Sequence, residues 1–267
     1  MDHGGAAGSA QRDQHADLTI ALAGNANVGK SVIFNALTGM NQIIGNWPGK
    51  TVELAEGSFD YKGKHIRVVD LPGIYSLSTY SQEELVSREF IAEAHPDVVI
   101  NVVDSTVLER NLYFTLQLRE LGAPLVVALN LMDLATKEGL VINEARLSEL
   151  LGVPVVRTSG ANGKGLDALI DACIATAGIM PAKPVLYGKE IEAAIGQVEQ
   201  ALAGSPLPVG LEHYPPRFLA VKLLEGDEEI SRKFTTAPAV LSVVQATARQ
   251  LEQVHGEPVA SVMSSER

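Results

Sequence analysis

The stretch Gly24-Asn25-Ala26-Asn27-Val28-Gly29-Lys30-Ser31 decides how the rest of the chain is read. It satisfies G-x-x-x-x-G-K-[ST], follows the apolar run Leu18-Thr19-Ile20-Ala21-Leu22, and opens a segment of helical character at Lys30. Its glycines let backbone N–H groups curl around phosphate oxygens. The Lys30 ammonium can then reach the β- and γ-phosphates, and the Ser31 hydroxyl suits Mg2+. Asn25, Ala26, Asn27 and Val28 line the loop, and Val32 just beyond it joins them as an expected nucleotide contact.

Such a loop needs a sheet behind it. From Leu18 to about Gly178, six β-rich runs alternate with helical spacing: 18–24, 51–61, 64–70, 97–104, 124–130 and 153–159. The second and third meet at Lys62-Gly63, a two-residue turn signal, and form an antiparallel hairpin at the sheet edge. Helical patterns at 108–122 and 163–178 separate later runs. The fold class expected is α/β, a doubly wound, mostly parallel six-stranded sheet covered on both faces.

After Met180 the texture changes. Pro181 to Gly188 reads as a Pro-punctuated linker; beyond it Ile191, Ile195, Val198 and Leu202, then Leu241, Val244, Ala248, Leu251 and Val254, recur at helical spacing. Residues 215–234 read as one or two short helices broken at Gly226. Three parts are expected: a loose tail over 1–16, the α/β domain over 17–180 and a small all-α domain over 181–267.

A formal net charge of −11 argues against a nucleic-acid partner, because phosphate-binding surfaces concentrate Lys and Arg. The one cysteine, Cys173, excludes an internal disulfide and reads as a buried small hydrophobe rather than a nucleophile. No apolar run approaches the ~20 residues of a membrane helix, so the chain as given reads as soluble. His65, His95 and His213 lack ligand spacing, and no transition-metal site is expected of them. Acidic clusters such as 225–229, Glu-Gly-Asp-Glu-Glu, read as solvated surface.

The base is addressed by Asn130-Leu131-Met132-Asp133 at the end of a predicted strand. A carboxylate there can accept both the N1–H and the exocyclic amine of guanine, a pair adenine cannot supply, and can reject the wrong base by ~10⁴-fold. The same four residues also suit a turn or a helix cap. Register favours guanine: Thr158-Ser159-Gly160 closes the next strand, where the Gly160 N–H could meet the guanine O6. Asp70-Leu71-Pro72-Gly73 offers Mg2+ a carboxylate through water while the Gly73 N–H faces the γ-phosphate. Thr51, between the two phosphate motifs, would bring its hydroxyl to Mg2+ on a mobile loop. GTP as substrate and GDP as product follow.

With GNANVGKS, GNWPGKTVE (45–53), DLPGIYSL (70–77) and NLMD in order, the chain resembles the small P-loop GTPases of the Ras-like kind. More closely it resembles the N-terminal G domain of the ferrous iron transport protein B family, FeoB, followed by that family's helical domain, described as resembling a guanine-nucleotide dissociation inhibitor. Leu131, where most GTPases carry Lys, is usual in FeoB. The resemblance implies a regulatory domain on the cytoplasmic face of the bacterial inner membrane that couples nucleotide state to Fe2+ transport. It further implies continuation into a membrane-embedded iron permease, small cytosolic Feo partner proteins and a capacity for homo-oligomers.

Ile74 stands where Ras-like enzymes carry the Gln that orients water, and no Arg occurs between Met40 and Glu53, so unassisted hydrolysis should be slow. The resemblance supplies a substitute, K+ ligated by Asn27 with backbone carbonyls around Asn46 and Trp47; the alternative is that Asn27 only bonds its own loop. Asn27, Lys30, Thr51 and Gly73 form the expected catalytic set. Two departures stand out. Lys50 replaces a small apolar residue, and its ammonium either reaches the K+ pocket or stays in solvent. Gly160 replaces a more usual Ala, which would loosen its loop and favour GDP release. Two other functional classes remain open: a ribosome- or RNA-associated assembly GTPase, which usually has N-K-x-D and a basic appendage, and a nucleotide-sensing interaction module with incidental turnover.

Overall fold

A computed structural model describes residues 16–39, 42–46, 50–78, 81–181 and 183–267. Seven strands form one sheet: β1 (Leu18–Gly24), β2 (Gln42–Asn46), β3 (Glu53–Tyr61), β4 (Lys64–Asp70), β5 (Val98–Asp104), β6 (Leu125–Asn130) and β7 (Val155–Arg157). Their order is β2-β3-β4-β1-β5-β6-β7, with β2 and β3 antiparallel to their neighbours and the rest parallel.

The sheet therefore has seven strands rather than the six expected, and the β3–β4 hairpin does not lie at its edge because β2 pairs outside β3. β2 escaped notice for a physical reason. Its two isoleucines, Ile43 and Ile44, are both exposed, so the strand lacks the in–out alternation that marks a half-buried strand. The turn itself forms as read, with Lys62 at φ +49 and Gly63 at φ +77, the geometry of the tight mirror-image turn that suits right-handed strand twist.

The central strands are apolar on both sides because both sides are covered. Val98, Ile100 and Val102 of β5 face one core with Ile33 and Phe34 of α1 (Lys30–Thr38) and Leu169, Ile170 and Cys173 of α6 (Leu166–Thr176). Val99 and Val103 face the other, with Val86, Phe90 and Ile91 of α2 (Gln82–Ala94) and Phe114 and Leu118 of α3 (Leu108–Glu120). Cys173 is fully buried and burial pushes its thiol far up, as a small core hydrophobe requires. Two shorter helices, α4 (Met132–Lys137) and α5 (Glu144–Leu151), flank β6 and β7.

The remaining helices are α7 (Lys189–Ala203), α8 (Pro216–Leu224), α9 (Glu228–Lys233), α10 (Pro238–His255) and α11 (Val259–Glu266), with the expected break at Gly226. Their apolar side chains, among them Ile191, Ile195, Phe218 and Leu251, merge with the α2–α3 face of the sheet in one continuous core. The Pro-rich connection is tied down: Arg119 donates to the Lys183 carbonyl at 2.6 Å and Arg217 to the Val185 carbonyl at 2.8 Å.

The acidic run 225–229 is only in part the solvated surface expected: Glu228 is exposed, whereas Asp227 and Glu225 turn inward. Asp227 accepts from Arg88 of α2 at 2.8 Å with both side chains only 2% exposed, and also caps α9 by accepting from the Ile230 N–H. Glu225 lies between Lys222 at 2.8 Å and Arg267 at 2.5 Å. Its carboxyl is pushed up by burial, but these two cations outweigh that and hold it below the ordinary carboxylate range. Composition correctly marked the run as charged; what it lacked was the positions of Arg88, Lys222 and Arg267.

Removing Arg88 would take the cation from a buried carboxylate. Arg88→Ala should cost about 3–5 kcal/mol in denaturant unfolding, whereas a loss under about 1 kcal/mol would mark the pair as solvent-screened.

Candidate nucleotide site

β1 lies between β4 and β5 and carries the phosphate loop to the crevice at the strands' C-terminal ends, the usual ligand position in a doubly wound sheet. Two glycines are obligatory there. A Cβ on Gly24 would sit 2.6 Å from the Val102 carbonyl oxygen; one on Gly29, which has φ +85, would collide with Asn130 Nδ2. Helix α1 opens without a side-chain cap or a first-turn acid of its own, so its leading N–H groups and positive dipole end suit an anion. Val28 is buried, and Asn25 too, so of the loop's side chains Asn27 stands furthest out.

Lys30 pairs with Asp70 at the end of β4, beside the Ser31 hydroxyl. Burial raises the Asp70 carboxyl above its ordinary range, with Lys30 and Ser31 pulling the other way. Ser31 and Asp70 thus form a hard, all-oxygen donor set that fits Mg2+. Thr51 is exposed, and no hydrogen bond joins it to that pair. Gly73 packs on the phosphate loop, its Cβ position 3.1 Å from Ala26 Cα, and the Ile74 N–H donates to the Gly24 carbonyl at 3.2 Å. Ile74 itself is buried in the sheet core, as far from the role of a water-orienting Gln as its chemistry demands.

On the base side, Asn130 is 1% exposed and its carboxamide is used twice. Nδ2 donates to the Val28 carbonyl at 2.9 Å, and Oδ1 accepts from the Gly160 N–H at 3.0 Å. The Gly160 amide expected at the guanine O6 is therefore directed at Asn130. A Cβ at Gly160 would lie 2.9 Å from Ile33 Cγ1, so this position packs closely on α1. Thr158 is buried and its hydroxyl donates to the Leu129 carbonyl at 3.2 Å. Asp133 stays exposed in the first turn of α4, accepting from the Ser159 hydroxyl at 3.4 Å. Leu131 before it holds φ +58, a conformation a branched residue adopts only under constraint.

Of the expected K+ ligands, Asn27 is exposed at φ +66 and bonds no described residue, Asn46 ends β2 exposed, and Trp47 lies outside the described residues. Lys50 follows neither of its two expected courses. Half-buried, it reaches Glu89 of α2 at 3.8 Å.

Residues 18–173 match the family model described as ferrous iron transport protein B, and residues 187–267 that of the FeoB cytosolic helical domain. Over 241 residues the chain is 44% identical to the Fe(2+) transporter FeoB of Methanocaldococcus jannaschii, covering 89% of this chain and 36% of that protein. With the Escherichia coli K12 Fe(2+) transporter FeoB it shares 41% identity over 217 residues, 79% of this chain and 27% of the relative. Among solved structures, a GDP-bound variant of S. thermophilus NFeoB superposes with a TM-score of 0.85 at 38% identity, covering 93% of this chain and 95% of that one. The cytosolic domain of the T. maritima FeoB iron transporter in a GDP form gives 0.76 at 35% identity, over 87% and 98%. The chain thus spans about a third of the length of these curated relatives. Phosphate loop, base-side asparagine and helical appendage all agree with these matches: the chain belongs to the ferrous iron transport protein B family, FeoB.

Proposed function

We propose that this chain binds guanine nucleotide with Mg2+ and slowly hydrolyses GTP, as the cytosolic regulatory part of a ferrous iron transporter. The observation that carries this reading is the Asn130 carboxamide, which ties the phosphate loop to the Thr158–Gly160 loop and leaves Asp133 exposed beside them. Asp133 would accept from both guanine donors, with Ser159 orienting it and Leu131 against the ring. Lys30 would exchange its partner, passing from Asp70 to the β- and γ-phosphates and freeing that carboxylate. Ser31, Thr51 and Asp70 would hold Mg2+, which would supply positive charge against the phosphate oxygens. The Gly73 N–H would hold the γ-phosphate, and Asn27 with the carbonyls of Asn46 and Trp47 would hold K+ in place of an arginine finger.

The functional units proposed are a tail over 1–16, a G domain over 17–180 and a helical regulatory domain over 181–267. Their place is the cytoplasmic face of the bacterial inner membrane, joined to a permease domain and served by small cytosolic Feo proteins. Among the described residues no helix is long and apolar enough to cross a membrane.

Calorimetry with GTP, GDP and ATP in Mg2+ buffer tests the base reading. Guanine nucleotides should bind at least ~10⁴-fold more tightly than ATP. Asp133→Asn should erase that preference, whereas Asn130→Ala, which unpins both loops, should weaken every nucleotide. ATP displacing GTP at comparable concentration would overturn the reading.

Single-turnover hydrolysis tests the cation. K+ should accelerate it over Na+, and Asn27→Ala should abolish the difference. Because Lys50 is engaged by Glu89, Lys50→Ala should leave the K+ response unchanged; equal rates in K+ and Na+ would remove K+ from the mechanism.

A further inference from the structure

His95 and His213, 118 residues apart in the chain, meet in space. His95 caps the C-terminal end of α2 and His213 lies in the turn leading to α8, so the pair bridges the sheet-covering helix and the helical appendage. His95 Nε2 and His213 Nδ1 are 3.4 Å apart, with ring centroids 5.3 Å apart and planes at 72°.

Two imidazole nitrogens bound to one tetrahedral ion at about 2.0–2.1 Å lie about 3.4 Å apart, and their ring centroids about 5.2 Å apart. A head-on N–H···N bond of the observed N···N length would instead put the centroids about 5.7 Å apart. The observed pair has the convergent spacing, which a bent ring–ring hydrogen bond holds in the ion-free state. His95 holds φ +47, the left-handed conformation with which helices commonly end, and this fixes where its ring leaves α2. The carbonyl end of α2 points its negative dipole toward any cation seated there. Both rings are exposed, so an ion can reach them and complete its coordination with water. Among the described residues no group of three His, Cys, Asp or Glu forms a fuller cage.

We propose that His95 and His213 form a surface site for a divalent first-row transition-metal ion, of the class imidazole favours, stapling α2 to the helical appendage. The site is separate from the nucleotide crevice and does not depend on what that crevice binds.

Zinc and cobalt(II) are the probes, titrated into the full chain by calorimetry and by cobalt d–d absorption, with thermal unfolding followed in parallel. The wild-type chain should bind one ion of each at this site and melt at a higher temperature with zinc present. His95→Ala and His213→Ala should each weaken zinc binding by at least about tenfold and abolish the zinc-dependent rise in Tm. Since both rings are exposed, neither change should move the metal-free Tm. His65→Ala and His255→Ala, whose rings lie beside Asp60 and Glu190, should behave as wild type. Failure of wild type to bind either ion, or unchanged zinc affinity and Tm shift in the His95 and His213 variants, would overturn the proposal.

Discussion

A buried carboxamide at Asn130 holds together loops that leave the sheet from β1, β6 and β7. One end accepts the Gly160 amide and the other donates to Val28, so the phosphate loop cannot shift without breaking a buried hydrogen bond on the base side. Gly29 is the counterpart of this staple, because any side chain there would occupy the space of Asn130 Nδ2. Phosphate and base recognition are in this way one mechanical unit. Asp133 can remain exposed in α4 because the scaffold beneath it is already fixed.

Charge is arranged around the same unit in pairs that can be exchanged or not according to burial. Lys30 and Asp70 sit at the mouth of the crevice, where an anion can take the ammonium and a hydrated cation the carboxylate. Arg88 and Asp227 are sealed inside, where no solvent-borne ion reaches either one. The first pair is suited to chemistry. The second fixes the angle at which α2 meets the α8–α9 turn.

Much of this was legible in the chain because it rests on local rules. Apolar runs of strand length, the Lys62-Gly63 turn, the glycines around Lys30 and the helical spacing after Gly188 each carry their own signal. What was hidden depended on partners distant in sequence. β2 has outward isoleucines and borrows its order from β3. Arg88 and Asp227 look like ordinary surface charges until they face each other. The Gly160 position looked permissive because its crowding comes from Ile33, and His95 and His213 have no spacing to betray them.

Arg267 has a further consequence. Its guanidinium is fully enclosed, donating to Glu120 at 2.9 and 3.0 Å, to Glu225 and to the Tyr113 hydroxyl at 3.0 Å. With Lys222 it makes two cations against two carboxylates, an electroneutral quartet drawn from α3, the α8 end and α11. Such a quartet permits no half-measures: sliding α11 by one turn would leave enclosed ions of one sign unmatched. The end of α11 is therefore keyed to α3 and to the end of α8 in a single register.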